Sequence, residues 1–209
     1  MQSIVGKKLG MTRVFDDDGN QIPVTVLEVG PCPVLQRKTA DSDGYDAVQI
    51  AFEEQKESRV SKARLGVFKK AGVNPHRIIQ EFRVDASDET AVGDVVTAAA
   101  FEGVTHVDVT ARTKGRGFQG VVKRHGMATG RMSHGGHSRR RPGSIGCSSY
   151  PARVIKGKKM PGHDGHKVVT TQNLKLVKAV EEDGVLLVCG AVPGPAGGLV
   201  TVNKALKKG

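Results

Sequence analysis

The sequence predicts a mainly β protein: a closed antiparallel β-barrel with a small mixed α/β flank and a long irregular basic loop. Three observations predict it. Short runs of alternating apolar and polar residues, bounded by Gly, Pro, Asn and Asp, occur both before residue 112 and after residue 167. The regular helix–strand alternation of a doubly wound fold is missing. Between the two sets of strands lies a segment too basic and too poor in apolar residues to build a core of its own. Closing the strands into a barrel removes the exposed edges that an open sheet would leave. An open sandwich is the alternative.

The elements follow in chain order. Ile4 to Phe15 reads as a strand, a Gly-containing bend and a second short strand. Asp16-Asp17-Asp18-Gly19-Asn20 is a turn, and Ile22 to Val29 alternates as a half-buried strand. After the break at Gly30-Pro31-Cys32-Pro33, Val34 to Thr39 is a strand, Ala40 to Gly44 a turn, and Ala47 to Phe52 a strand. Composition changes at Glu53. Val60, Arg64, Val67 and Phe68 suit a short helix that Gly72 stops. Ile78 to Val84 reads as a strand, and Val92 to Val96 as a short helix or strand. His106 to Ala111 alternates again. After Lys167, strands are expected over Val168 to Val180, Val185 to Val192 and Leu199 to Val202. The expected division is a barrel from 1–53, 104–112 and 168–209, a mixed subdomain over 54–103, and an extended loop over 113–167.

Charge is concentrated in one place. The 209 residues hold 32 Lys and Arg against 21 Asp and Glu, a net +11. Residues 111–167 contain 14 of the basic residues and one acid, Asp164, a local surplus of 13, so the other residues together carry −2. The same stretch holds 12 of the 27 glycines and five of the seven histidines. A polyanionic partner accounts for such a surplus, and the loop is expected to stay irregular until phosphates neutralise it. No apolar run reaches the roughly 18 residues of a spanning helix, and the N-terminus lacks the apolar core of a signal peptide. Cys32, Cys147 and Cys189 are far apart and odd in number, which implies no disulfide framework. A cytoplasmic protein is expected, with no membrane partner.

The motifs narrow the partner to RNA. Thr113 to His125 interleaves Gly with Lys and Arg, so backbone N–H groups and side chains can both donate to phosphate. Gly115-x-Gly117-x-x-Gly120 matches a dinucleotide fingerprint on paper but lacks the βαβ frame, and no G-x-x-x-x-G-K-[ST] occurs. His134 and His137, with His163 and His166, form two H-x-x-H pairs, but structural zinc sites usually draw on Cys ligands and Asp164 is the one acid nearby, so RNA contacts are expected there rather than a metal. Only Phe118 and Tyr150 are aromatic in the segment, too few for a single-strand stacking surface. The pattern suits phosphates of folded RNA, with Arg favoured for its planar fork. The expected RNA-binding residues are Arg112, Lys114, Arg116, Lys123, Arg124, His125, Arg131, His134, His137, Arg139, Arg140, Arg141, Arg153, Lys156, Lys158, Lys159 and His163. No cofactor and no catalytic residue are expected.

Several runs resemble a known family. Ile4-Val5-Gly6-Lys7-Lys8-Leu9-Gly10-Met11-Thr12-Arg13-Val14-Phe15 resembles the opening of the third protein of the large ribosomal subunit, bacterial type. So do Lys114-Gly115-Arg116-Gly117-Phe118-Gln119-Gly120, Ser133-His134-Gly135, Arg141 to Gly146 and Lys156 to His163. The resemblance implies a β-barrel of the translation-protein type, with a loop reaching toward the peptidyl transferase centre and its tip around Arg139 to Arg153. It further implies direct binding of large-subunit ribosomal RNA near its 3′ end, nucleation of subunit assembly, and large-subunit proteins fourteen and nineteen as neighbours. Many bacterial members carry a glutamine, sometimes methylated, after the Gly-Ser-Ile-Gly run. Here Cys147-Ser148-Ser149-Tyr150 follows, so that modification is not expected. A competing class is an RNA-processing enzyme on a barrel scaffold. It would need a carboxylate cluster at the basic face, which the single acid in 111–167 disfavours.

Overall fold

A computed structural model of the chain describes residues 2–85 and 87–208. Its elements in chain order are β1 (Ser3–Phe15), β2 (Gln21–Val29), β3 (Cys32–Lys38), α1 (Ala40–Asp43), β4 (Ala47–Glu54), α2 (Lys62–Ala71), β5 (His76–Arg83) and β6 (Val95–Val96). They continue with β7 (His106–Arg112), β8 (Gly115–Gln119), α3 (Val121–His125), β9 (Gly162–Gly165), β10 (Val168–Val180), β11 (Val185–Cys189) and β12 (Leu199–Lys204). The protein is mainly β, and six antiparallel strands close a barrel in the order β1-β12-β7-β10-β11-β2.

Alternation explains the barrel's interior. Val107, Val109 and Ala111 on β7, Val200 and Val202 on β12, and Leu186 and Val188 on β11 are buried at every second position. With no Trp and few other rings, these β-branched and aliphatic side chains fill the core. Thr25 is also buried, and its hydroxyl donates to the Gly190 carbonyl at 2.6 Å, which satisfies the one polar atom brought inside there. β1 is one continuous strand of 13 residues rather than two strands and a bend. A register shift between Lys8 and Gly10 absorbs the irregularity as a bulge, so pairing with β2 continues to Phe15↔Gln21.

A second sheet, in the order β5-β4-β3-β6, lies in the same unit. Read as part of a meander of short strands joined by tight turns, β3 and β4 are expected in the barrel. Instead the chain leaves the barrel at Gly30, and both strands belong to this second sheet, so the mixed flank begins near Cys32 rather than at Glu53. The place beside β2 is taken by β11, in register from Glu28↔Val185 to Val24↔Cys189. One face of the sheet contributes Val34, Val48, Ile50 and Phe52 to a core continuous with Ile4, Val5 and Leu27. The other face buries Phe68 of α2 against Leu35 and Ala51. Gly72 closes α2 in a left-handed conformation, φ +69°, as the sequence predicts. Residues 40–43, expected as a turn, form a single helical turn closed by Gly44.

The chain divides into two compact units, residues 1–112 with 168–209 and residues 113–167. Val168 pairs directly with Arg112 across β10 and β7, so the strands that bracket the inserted residues are hydrogen-bonded neighbours. Among the described residues no helix is long and apolar enough to cross a membrane.

Candidate nucleic-acid interface

Residues 113–167 are more ordered at their base than the charge count predicts. β8 and β9 pair antiparallel, with Gly115 opposite Gly165 and Phe118 opposite His163. The pairing continues toward the chain ends, where the Thr113 amide donates to the Lys167 carbonyl at 2.9 Å. Glycine makes this hairpin possible. Gly165 sits at φ +73°, and a Cβ there would run into the Lys114 carbonyl oxygen. α3 follows at Gly120, buries Val121 and is closed by Gly126. Residues 126–161 contain no helix or strand.

Two of the expected RNA ligands turn inward within this unit. Arg124 donates from Nη1 to the Met160 carbonyl at 2.7 Å, and His125 Nε2 lies 3.0 Å from the same oxygen. Both are half-buried, so they tie α3 to the strand-free segment before β9. Arg116 pairs with Asp164, Nη1 to Oδ2 at 3.3 Å. Partial burial works against ionisation of Asp164, but the Gly165 amide and the Arg116 guanidinium outweigh it and hold the carboxyl below its ordinary range. The segment's single acid is thereby committed to one arginine.

The remaining positive charge faces outward. Lys114, Lys123, Arg131, His134, His137, Arg139, Arg140, Arg141, Arg153, Lys156, Lys158, Lys159 and His163 are all exposed, as is Arg112 at the end of β7 in the first unit. Among the described residues no carboxylate lies within salt-bridge distance of any of these side chains. At effective surface dielectric such crowding of like charge is unfavourable until anions enter. His134 holds a left-handed backbone, φ 55°, in the turn Ser133–Gly136, which turns the chain back so that the Gly130 amide reaches the Arg139 carbonyl at 2.9 Å. That closure presents Arg139, Arg140 and Arg141 on one exposed run.

The two aromatic side chains of the segment are also exposed. Phe118 is 76% exposed and Tyr150 88% exposed, so neither ring is taken up by the core. The sequence shows them as the segment's two rings, too few for a single-strand stacking surface. Cys147 is exposed. Among the described residues no three His, Cys, Asp or Glu side chains gather as metal ligands.

Comparison with known proteins gives one consistent result. The family model described as ribosomal protein L3 matches residues 70–208. The large ribosomal subunit protein uL3 of Geobacter sulfurreducens is 50% identical over 206 residues, covering 99% of this chain and 98% of that protein. The protein of the same name from Brachyspira pilosicoli is 48% identical over 208 residues, covering 100% of this chain and 95% of its own length. That of Alkaliphilus metalliredigens is 46% identical over 209 residues, with both chains covered completely.

Proposed function

Since the chain belongs to the ribosomal protein L3 family, we propose that it holds large-subunit ribosomal RNA through residues 112–167 and so helps to nucleate subunit assembly. It is a structural component of the large ribosomal subunit and not an enzyme. The observation that carries the RNA reading is the exposed, uncompensated charge of 113–167: one acid, already paired to Arg116, among thirteen Lys and Arg. Binding releases counterions from the phosphates that these side chains neutralise, which supplies affinity without sequence readout. The β8–β9 hairpin and the Arg124 and His125 bonds to Met160 order the base of the segment, so less chain entropy is lost when RNA binds. Residues 126–161, irregular and charged, then fill space between RNA helices and order on contact.

The finer placement belongs to the same reading. The loop tip, Arg139 to Arg153, would point toward the peptidyl transferase centre, and large-subunit proteins fourteen and nineteen would be neighbours. The test is a salt titration of RNA binding. Replacing Arg139, Arg140 and Arg141 by Ala should make the log–log salt slope shallower by about 2, at roughly 0.7–0.9 for each phosphate no longer neutralised. An unchanged slope would mean these arginines do not meet phosphate. Metal-dependent turnover of structured RNA by the pure protein would overturn the structural reading altogether.

A further inference from the structure

Charge outside the loop is also uneven. Residues 55–73 carry Lys56, Arg59, Lys62, Arg64, Lys69 and Lys70 against one acid, Glu57. Within this stretch, α2 breaks three rules that an ordinary surface helix follows. Its first turn has no acid and instead holds Lys62 and Arg64 against the positive end of the helix dipole. Its N-cap, Ser61, makes no side-chain cap bond, so first-turn N–H groups lack that partner. At its middle stands Gly66, exposed, the poorest helix former after proline.

Among the described residues nothing explains that glycine. A Cβ built on it meets no atom within 4 Å, and its backbone is in the ordinary helical range, so neither packing nor φ demands it. What Gly66 shares is a face. At 3.6 residues per turn, Lys62, Gly66, Lys69 and Lys70 fall within an arc of about 100°, opposite the buried Phe68. All four are exposed. Among the described residues no carboxylate lies within ion-pair distance of the three lysines. Arg64 is otherwise engaged, donating from Nη2 to the Arg77 carbonyl at 3.0 Å. Lys69 and Lys70 complement the helix C-terminus, which gives them a local reason, but Lys62 and Gly66 have none.

We infer that the outer face of α2 is a second RNA-docking surface, with a sugar–phosphate backbone lying against Gly66 and clamped by Lys62, Lys69 and Lys70. Each broken rule then has a cause. Phosphate near the first turn neutralises Lys62 and accepts from the uncapped N–H groups. A side chain at position 66 would hold the backbone away. The lysines act as point charges along the strand and read no sequence. This inference rests on the proposal that the chain binds ribosomal RNA, but it uses none of the residues 112–167.

The test uses the full chain and a structured fragment of large-subunit ribosomal RNA. Replacing Lys62, Lys69 and Lys70 by Gln together should leave the circular dichroism spectrum unchanged and make the salt slope shallower by about 2. Gly66→Gln should raise the melting temperature by about 2 °C, because Gln is the better helix former. The same substitution should weaken RNA binding by about tenfold or more, the usual effect of one obstructed approach. Opposite signs for stability and binding are what a purely structural glycine cannot give. A lowered melting temperature, or unchanged RNA affinity in Gly66→Gln, overturns the inference. So does an unchanged slope in the lysine variant while the Arg139, Arg140 and Arg141 variant shows a shallower one. Retained RNA affinity with loss from assembled subunits would assign the face to a protein neighbour, again overturning it. Unchanged slopes in both variants would instead sink the RNA-binding proposal for the loop.

Discussion

Cys32 stands at the first position of β3, where the chain has just left the barrel, and is fully buried. Burial pushes its thiol up to about 11, against an ordinary value of 9.0; the Sγ lies 3.4 Å from the Val5 carbonyl, an acceptor for the thiol proton. The folded state therefore binds this proton more tightly than the unfolded chain does. Stability from Cys32 is complete below pH 9 and is lost as pH rises through 11, a decline of about 2–3 kcal/mol. Urea unfolding of the wild type between pH 8 and 11 should show this extra loss relative to Cys32→Ala. Parallel curves would remove Cys32 as its source. Lys8 shows the same dependence of meaning on place. In the sequence it is one of a pair of lysines in a strand, but in the fold its Nζ donates to the Val192 carbonyl at 2.8 Å and so holds the segment after β11.

At the scale of elements, the β8–β9 hairpin is an ordered part of residues 113–167, with the irregular stretch 126–161 between its strands. Its weak point is Gly165, held at φ +73° and packed on the Lys114 carbonyl. Gly165→Ala should destabilise the hairpin by at least about 1–3 kcal/mol through left-handed strain, with the steric overlap adding to it. Hydrogen exchange at residues 115–119 and 162–165 should accelerate while the barrel amides stay protected; protection retained at the hairpin would show that the backbone relaxes. Legibility in the sequence also divides by element. Strands with buried alternation, such as Val107-Asp108-Val109-Thr110-Ala111, declare themselves because one face meets the core. β3 and β4 read as strands just as readily, yet nothing in their runs of apolar residues says which sheet they join. Periodicity is local, whereas sheet membership depends on β11, more than 150 residues further on than β2, occupying the place beside it. The hairpin is silent in the sequence because Gly115, Gly117 and Gly162 carry no side-chain pattern to read. The inward turn of Arg124 and His125 is equally hidden, since a carbonyl partner at Met160 leaves no trace in charge.

At the scale of the whole molecule, the chain keeps its apolar core and its surplus of positive charge in different units. The apolar core lies almost wholly in residues 1–112 and 168–209, and Val121 is the single buried apolar side chain among the described residues of 113–167. Burial at about 25 cal/mol per Å² therefore stabilises the first unit and contributes little to the second. Because Arg112 pairs with Val168, the first unit needs no residue of the second to complete β7 or β10. Replacing residues 113–167 by Asn-Gly should turn β7 and β10 into a simple hairpin, since that dipeptide favours the type I′ turn that matches strand twist. The shortened chain should melt cooperatively within a few degrees of the full chain. Its affinity for structured ribosomal RNA should fall by at least about a hundredfold at roughly 0.15 M salt, with the salt slope reduced to what the lysines of α2 sustain. An unfolded product would show that the insert belongs to the core after all. A folded product that kept full affinity would move the principal RNA contact out of the loop and onto the body.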